Sequence, residues 1–230
     1  MEKSATDNNS RWYDRIKDPN QSWKSFAIEV FLLILLVLFI RFYIFQLFWV
    51  SGESMCPTIN QVEDECRDGR GEFAFVNKFW YYFFEPQRGD IVVFDPPKYA
   101  PKDDPYIKRI VGVPGDTIRI RGGKLYVTNE KKNIYDWRLP ETYLAPKSQG
   151  MTRSTKSIFN VPDEHYLLFG DNRLGSLDAR NCFSGDFSGC KNPNRSPYTS
   201  LEDFSGKAQA IVWPPWSMRK LENPLDGVRQ

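Results

Sequence analysis

Residues 50–58 read V-S-G-E-S-M-C-P-T and directly follow a long apolar stretch of the chain. Within them, Gly52 permits turns that a Cβ atom would hinder, and Pro57 fixes its own φ and favours an extended conformation in the residue before it. We therefore predict that Ser54 lies in a stiff, largely extended segment about five residues beyond Trp49, and at most about 16 Å from it. If Ser54 is reactive, its chemistry takes place near the end of the apolar stretch.

The apolar stretch begins at Phe26 with F-A-I-E-V-F-L-L-I-L-L-V-L-F-I, is interrupted by Arg41, and continues to Trp49. It is apolar on all sides rather than along one stripe, and it reaches the ~20 residues that a bilayer requires if Arg41 extends to the far interface. We predict a transmembrane anchor over residues 26–49. A cleaved secretory signal is the alternative, but the polar head before it is long and no small-x-small cleavage site precedes Ser51.

The residues on either side of this stretch differ in charge. Residues 1–25 are polar and contain five basic side chains, whereas none is found from Gly52 to Cys66. The five are Lys3, Arg11, Arg15, Lys17 and Lys24. Because basic residues are retained on the cytoplasmic side of a membrane, we predict a cytoplasmic head over 1–25. Residues 50–230 then form an extracytoplasmic domain at the plasma membrane.

The composition limits the kinds of partner. A chain of 230 residues is long enough for one catalytic body and an anchor. Its 31 basic and 29 acidic residues give a net charge of +2 and form no Lys/Arg-dense stripe interleaved with aromatic residues. We therefore expect no nucleic-acid partner.

The cysteines and the single histidine argue against a metal site. Cys56, Cys66, Cys182 and Cys190 are too widely spaced for a zinc ribbon, and His165 alone adds little. We expect no metal and no cofactor. Outside the cytoplasm, disulfides between Cys182 and Cys190 and between Cys56 and Cys66 are compatible with the spacing, with free thiols as the alternative. As a nucleophile, Cys56 lacks a nearby activating group in the sequence.

The chain after the anchor predicts antiparallel β structure. Short apolar or β-branched runs alternate with turn-rich segments, and no long amphipathic helix is predicted there. The predicted strands are 73–77, 91–94, 106–113, 165–169 and 209–213, together with 117–121 and 125–128, which pair across Gly122-Gly123. Residues 130–160 are polar and irregular, and we expect an excursion with one or two strands. The predicted fold class is mainly β with one N-terminal transmembrane helix.

A serine nucleophile at position 54 needs a base that takes its proton. The histidine candidate is His165, which strand alternation places on the same face as Leu167 and Phe169. A lone histidine on such a face is usually structural.

Lys108 is the second candidate base, within the predicted strand Y-I-K-R-I-V-G-V. Both faces of this strand carry apolar residues, and removal from water disfavours the charged amine. For Lys108 to be half neutral at pH 7, its pKa must fall from about 10.4 to 7, which corresponds to about 4.6 kcal/mol. Neutral lysine can act as a general base toward Ser54. The alternative is a strand-edge lysine that points to water.

Four stretches of the chain, in this order, resemble the motif set of the type I signal peptidases. They read S-G-E-S-M-C-P-T from Ser51, R-G-D-I-V-V-F from Arg88, Y-I-K-R-I-V-G-V-P-G-D from Tyr106, and G-D-N-R-L-G-S-L-D-A-R from Gly170. The membrane span directly before the serine motif resembles that family as well. The resemblance implies a β catalytic domain of signal-peptidase type. It also implies a membrane-anchored serine endopeptidase that removes signal peptides from exported preproteins through a Ser/Lys acyl-enzyme mechanism.

By this resemblance Ser54 is the nucleophile and Lys108 the general base. Ser176 falls on the family serine that orients the lysine, and Asp178 and Arg180 fall on a pair that braces the site. On sequence alone, a solvated surface pair is the alternative for Asp178 and Arg180.

The family is specific for small side chains one and three residues before the cleaved bond. The matching pocket positions are Met55, Ile59, Tyr106 and Ile107, for which simple core packing is the alternative. The implied partners are preproteins with signal peptides and membrane lipid.

The chain departs from the family pattern at three places. Gly52 stands where some members have a serine whose hydroxyl helps to form the oxyanion hole, and Leu174-Gly175 and Ala179 replace commoner residues. These changes alter residues of the local loops but leave the five proposed site residues intact, namely Ser54, Lys108, Ser176, Asp178 and Arg180. A rival hypothesis is therefore a non-catalytic, membrane-tethered β-domain that binds exported polypeptide segments.

Overall fold

The computed structural model describes residues 19–62, 65–66, 71–101, 103–185 and 189–228. Its first unit contains one α-helix, α1 (Pro19–Phe39), followed by a π-helical turn, Ile40–Ile44. Trp23–Ile44, 22 residues long, is long and apolar enough to cross a membrane. The predicted head over 1–25 lies outside the described residues up to residue 18, and its last part, from Pro19, is helical.

The helical segment ends before the predicted end of the anchor. The prediction extended the anchor over 26–49, but the helix ends at Ile44 and Phe45–Val50 is a β-strand that belongs to the second unit. This strand, with the sequence F-Q-L-F-W-V, pairs antiparallel with residues 72–77, so its backbone hydrogen bonds are made within a sheet. The apolar composition alone does not distinguish these two uses of the residues.

The second unit begins at Phe45 and is built mainly from β-strands. In chain order the strands are β1 (Phe45–Val50), β2 (Gln61–Val62), β3 (Glu65–Cys66), β4 (Glu72–Asn77), β5 (Ile91–Phe94), β6 (Tyr106–Gly112), β7 (Thr117–Arg121), β8 (Lys124–Asn129), β9 (Ile134–Arg138), β10 (Ile158–Asn160), β11 (His165–Phe169), β12 (Tyr198–Ser200), β13 (Phe204–Trp213) and β14 (Arg219–Lys220). The predicted mainly β fold class is confirmed.

The larger sheet positions the site. Its strand order is β1-β4-β13-β5-β6-β11-β12, with β14 added beside β13, and all its pairings are antiparallel. Strand β1 is therefore an edge strand, and β6 lies inside the sheet between β5 and β11. The segment after β11 begins at Gly170 and contains the last of the four motifs.

A second sheet has the order β10-β7-β8-β9. The hairpin predicted across Gly122-Gly123 is present as β7 and β8, and both glycines have positive φ. The polar excursion over 130–160 supplies β9 and β10, in agreement with the expected one or two strands. Two buried apolar clusters hold the strands together, and β6 contributes Ile110 to one and Ile107 to the other.

Both disulfides that the spacing allowed are present. Cys56 is bonded to Cys66 and Cys182 to Cys190, so none of the four thiols is free. The free-thiol alternative is therefore wrong, and Cys56 is not available as a nucleophile. The first disulfide links the segment that contains Ser54 to β3.

Candidate active site

Ser54 and Lys108 are in direct contact. Lys108 Nζ lies 2.8 Å from Ser54 Oγ, and it also donates a hydrogen bond of 2.9 Å to the carbonyl oxygen of Ile107. Lys108 is 4% exposed and pairs with Val92 of β5, inside the larger sheet. The alternative of a water-exposed edge lysine is therefore wrong. The two predicted catalytic side chains are within hydrogen-bonding distance.

Burial lowers the pKa of Lys108 to about 8. Removal of the amine from water is the largest cause, and the charge of Arg180 acts in the same direction, whereas Asp178 and Asp171 oppose it. With a pKa of about 8, roughly one tenth of the amine is neutral at pH 7, about 300 times more than for an ordinary lysine. Lys108 can therefore accept a proton near neutral pH.

The segment around Ser54 is folded into turns, so the predicted extended conformation is wrong. Backbone hydrogen bonds of 3.0 Å run from Cys56 N–H to the Glu53 carbonyl and from Ile59 N–H to the Met55 carbonyl. Pro57 restricts the residue before it, but it does not prevent turns that begin earlier in the chain. The turns place the Ser54 hydroxyl against β6 rather than along an extended strand.

Asn60 holds these turns in place, and sequence reasoning missed it. Its buried side chain donates hydrogen bonds to the carbonyl oxygens of Val50 (2.7 Å) and Gly52 (2.8 Å). Asn60 has a φ of +63°, a conformation that asparagine tolerates better than most residues. Its backbone N–H donates to Glu72 of β4, which is in turn paired with Arg219. The backbone at Val50 and Gly52 is thus fixed from behind.

A buried ion pair joins β6 to the loop after β11. Arg109 donates two hydrogen bonds to Asp171, at 2.9 and 2.7 Å, and both side chains are almost completely buried. Thr58 donates to the same carboxylate, and the ring of Tyr143 covers the guanidinium at 4.1 Å. Gly170-Asp171-Asn172 reads as an ordinary turn in the sequence, so this contact was missed. The available signal was an arginine in a strand with apolar residues on both faces, because a buried charge requires a partner.

Asp178 and Arg180 form the buried pair that the resemblance implied. Arg180 donates two side-chain hydrogen bonds of 2.8 Å to Asp178, and both residues are buried, which rules out a solvated surface pair. The carboxylate also accepts from the backbone N–H groups of Gly170 and Arg180. Burial raises the pKa of Asp178, but the charge and hydrogen bonds of Arg180 outweigh it, and the pKa falls below its ordinary value.

Ser176 lies beside the dyad without a hydrogen bond. Its buried hydroxyl has no hydrogen-bond partner among the described residues, so the expected contact with Lys108 is not made. It packs against Gly170, where an added Cβ would overlap both the Ser176 hydroxyl and the Ser54 carbonyl oxygen. That carbonyl accepts a 3.0 Å hydrogen bond from Asn172 N–H. The structure therefore brings Ser176 next to Ser54.

A groove of about 720 Å³ opens onto Ser54 and Lys108. Strand β1 lines one side of it, and residues 104–108 line the other. Of the four predicted pocket residues, Tyr106 and Ile107 line the groove. Met55 and Ile59 do not line it; they are fully buried in the apolar cluster that contains Ile107, in agreement with the core-packing alternative.

His165 lies outside this arrangement. Its Nδ1 is 2.8 Å from the carbonyl oxygen of Asp163, and no hydrogen bond among the described residues joins it to Ser54. The histidine alternative for the base is therefore not supported.

Comparison with known proteins finds relatives over most of the chain. The profile of the family described as signal peptidase, peptidase S26, matches residues 23–213. Signal peptidase I S of Bacillus subtilis is 34% identical over 72% of this chain and 85% of that protein. Signal peptidase I of Leptolyngbya laminosa is 28% identical over 79% of this chain and 75% of that protein. A crystal structure of a signal peptidase I from Enterococcus faecalis aligns with a TM-score of 0.36 and 24% identity, over 54% of this chain and 97% of that chain.

Proposed function

The chain belongs to the signal peptidase family, peptidase S26, and we propose from this membership that it is a membrane-anchored serine endopeptidase that removes signal peptides from exported preproteins. One observation carries the proposal. The Ser54 hydroxyl lies 2.8 Å from a buried lysine amine whose pKa is lowered to about 8. A serine beside a partly neutral amine has the base that it needs to attack a peptide bond.

Ser54 and Lys108 carry the first half of the proposed reaction. Ser54 Oγ attacks the carbonyl carbon of the substrate while neutral Lys108 Nζ takes the hydroxyl proton. The tetrahedral intermediate then collapses, the carbon–nitrogen bond breaks, and the protonated amine gives its proton to the leaving nitrogen. An ester between Ser54 and the signal-peptide segment remains.

Water completes the reaction with the same base. Lys108 takes a proton from a water molecule while the water oxygen attacks the ester carbonyl. The second tetrahedral intermediate then collapses, the bond to Ser54 Oγ breaks, and Lys108 returns the proton to Ser54 Oγ. Both side chains regain their initial protonation states, so the cycle needs no metal or cofactor.

We assign the Ser54 backbone N–H to the oxyanion hole, because Gly52 supplies no side-chain donor. An added Cβ at Gly52 would meet nothing within 4 Å, so this position has room for a water molecule as a second donor.

We assign positioning roles to the three remaining site residues, Ser176, Asp178 and Arg180, which all lie in the last motif. Ser176 has a buried hydroxyl with no partner among the described residues, so it is available to accept a hydrogen bond from Lys108 and to orient its lone pair. Asp178 and Arg180 brace the loop that carries Ser176.

The groove suits an extended polypeptide. On the side away from β4, edge strand β1 has no partner strand among the described residues, so a substrate strand can pair with it. Tyr106 and Ile107 line the groove together with Ser54 and Lys108, and we assign to them the walls that restrict the substrate to small side chains before the cleaved bond.

The apolar helix tethers the proposed enzyme to the membrane that holds its substrates. Signal-peptide substrates are themselves membrane-inserted near the cleavage site, and confinement of enzyme and substrate in one membrane raises their encounter rate. We propose a cytoplasmic head and an extracytoplasmic catalytic domain at the plasma membrane, from the basic residues before the apolar stretch that begins at Phe26. The two disulfides are consistent with that compartment.

Cleavage of a preprotein by the purified full-length protein tests the function. We expect Ser54→Ala and Lys108→Ala each to reduce kcat by about 10³-fold or more, and His165→Ala to leave it unchanged. Equal activity in all variants would refute the dyad. The rival hypothesis of a non-catalytic binding domain is not favoured, because the relatives are named peptidases and both dyad residues are in contact. Binding of preprotein without cleavage by the unsubstituted protein would revive it.

A further inference from the structure

A short connection separates the end of β1 from the nucleophile. Residues 51–53, which we call the linker, belong to no strand or helix and lead from Val50 to Ser54. Ser51 and Gly52 are exposed, and an added Cβ at Gly52 would meet nothing within 4 Å. Glycine also gives the linker more backbone freedom than another residue would. The position of Ser54 relative to β1 therefore depends on contacts from outside the linker.

The side-chain amide of Asn60 contacts both β1 and the linker. It donates hydrogen bonds to the carbonyl oxygens of Val50 (2.7 Å), the last residue of β1, and Gly52 (2.8 Å). Its oxygen accepts a 3.0 Å hydrogen bond from the backbone N–H of Glu72, which is the register partner of Val50 in β4. Asn60 is 1% exposed, so these bonds are formed away from water and are strengthened by their surroundings. One amide thus bridges the last residue pair of β1 and β4 and ties the linker to it.

Arg219 supports Asn60 from the C-terminal part of the chain. The backbone N–H of Asn60 donates a 2.8 Å hydrogen bond to the Glu72 carboxylate, and Arg219 of β14 donates to both oxygens of that carboxylate at 2.7 Å. Arg219 also donates a 2.8 Å hydrogen bond to the carbonyl oxygen of Thr58. The backbone is thus held at Asn60 itself and two residues before it.

Cleavage at one bond requires a fixed distance between β1 and the nucleophile. A substrate strand that pairs with β1 takes its register from β1, whereas the bond that is cleaved is the one that reaches Ser54 Oγ. Side chains alternate along a strand, so a slip of two residues returns equivalent side chains to the same face. In a run of small residues, the pocket alone therefore does not exclude such a slip.

We propose that Asn60 is a positioning residue that selects the cleaved bond, because it fixes Ser54 relative to the end of β1. The inference rests on the proposed function, in which a substrate strand pairs with β1. Without the amide of Asn60, the linker and the end of β1 lose their shared support, and cleavage spreads to neighbouring bonds. Bonds two residues from the main one gain most, because equivalent side chains then face the pocket.

A preprotein with a run of alanines across the cleaved bond tests this proposal, because side-chain size does not distinguish the bonds within the run. The full-length protein and the preprotein are reconstituted together in phospholipid vesicles, and mass spectrometry of the products gives the share of cleavage at each bond. Asn60→Gly removes the amide and tolerates the φ of +63° at this position. Asn60→Asp keeps the size and the acceptor oxygen but cannot donate to the two carbonyls.

Asn129→Ala is the matched control. Asn129 is 2% exposed, and its side-chain amide donates hydrogen bonds to Asp116 (2.8 Å) and to the carbonyl oxygen of Pro114 (3.4 Å), at the end of β8 in the second sheet. This variant loses a buried amide that has no contact with β1 or the linker. A loss of folded protein lowers its total activity, but its share of cleavage at each bond should equal that of the unsubstituted protein.

We expect both Asn60 variants to raise the share of cleavage at other bonds about 5-fold or more, since a buried hydrogen bond favours one arrangement by roughly 2- to 10-fold and two are lost. Arg219→Gln leaves Asn60 in place and should raise this share about 2-fold; it decides the test if the Asn60 variants do not fold. Unchanged shares in the active variants would overturn the inference and leave the proposed function intact. No cleavage by the unsubstituted protein would instead overturn the proposed function, and the inference with it.

Discussion

Removal of Asp171 will destabilise the catalytic domain strongly, because it leaves the Arg109 guanidinium buried without its counter-charge. The two side chains are 1% and 0% exposed, and two hydrogen bonds join them. Loss of one partner of a buried ion pair costs about 3–5 kcal/mol. For a domain of this size, each kcal/mol lowers Tm by roughly 2–4 °C, so Asp171→Ala should lower Tm by about 6–20 °C.

The assay is thermal unfolding of the detergent-solubilised full-length protein, followed by near-UV circular dichroism. Arg121→Ala is the control, because it breaks an ion pair with Asp136 in which both side chains are about half exposed. Exposed pairs contribute about 0–1 kcal/mol, so this variant should unfold within a few degrees of the unsubstituted protein.

A double variant separates the buried charge from lost packing. In Arg109→Leu/Asp171→Leu both charges are absent, and the protein should be more stable than Asp171→Ala alone. The reasoning is refuted if Asp171→Ala and Arg121→Ala lower Tm equally. It is also refuted if the double variant is the least stable of the three.

Two further predictions concern the surroundings of Ser54. Gly170→Ala should reduce kcat/KM by about 10²-fold or more, because the new methyl group would overlap the Ser176 hydroxyl and the Ser54 carbonyl. Gly185→Ala is the control. Its added Cβ would meet nothing within 4 Å, so this variant should leave kcat/KM unchanged. Kinetics on a peptide substrate check this, and similar values for both variants would contradict it. The Cys56→Ala/Cys66→Ala variant should lose about 3 kcal/mol of unfolding free energy, because the disulfide closes a short loop of sequence separation 10. Urea titration measures the loss, and an unchanged midpoint would show that the disulfide does not stabilise the fold.

The sequence predicted the strands better than the boundary of the anchor. The hairpin over β7 and β8 was predicted because its glycines and alternating apolar residues are local signals. The helix end at Ile44 was not, because Phe45–Val50 is as apolar as the helix before it. Its assignment to a sheet depends on pairing with β4, which is distant information that composition does not contain.

The dyad could be proposed from the sequence because four ordered motifs resemble those of a known family. The strand pattern around Lys108 alone left a buried base and a strand-edge lysine as alternatives, because apolar residues lie on both faces of the strand but the pattern does not show which strands cover it. The predicted extended conformation around Ser54 was wrong because Pro57 restricts only the residue before it and does not prevent turns that begin earlier in the chain. The hydrogen bonds of Asn60, which fix the turns, connect residues that no periodic pattern links.

Buried charges were the least predictable part of the site. Asp171 follows a glycine at the end of a strand and resembles any turn residue, yet it neutralises Arg109 in the interior. The sequence also does not distinguish a pocket residue from a core residue, since an apolar side chain near a nucleophile is equally suited to both. Met55 and Ile59 were predicted for the pocket but lie in the core. The catalytic roles of Ser54 and Lys108 and the supporting roles of Ser176, Asp178 and Arg180 stay predictions.

The pH dependence of Ser54 acylation tests the central claim most directly. Neutral Lys108 is the active form, so the rate constant for reaction with an acylating inhibitor must rise with pH, and a lowered pKa moves this rise to lower pH. With the pKa of Lys108 lowered to about 8 by burial, the rate should be half-maximal near pH 8 and level off above it. A rate that continues to rise past pH 10 would show that Lys108 titrates as an ordinary lysine, and it would contradict the proposed mechanism.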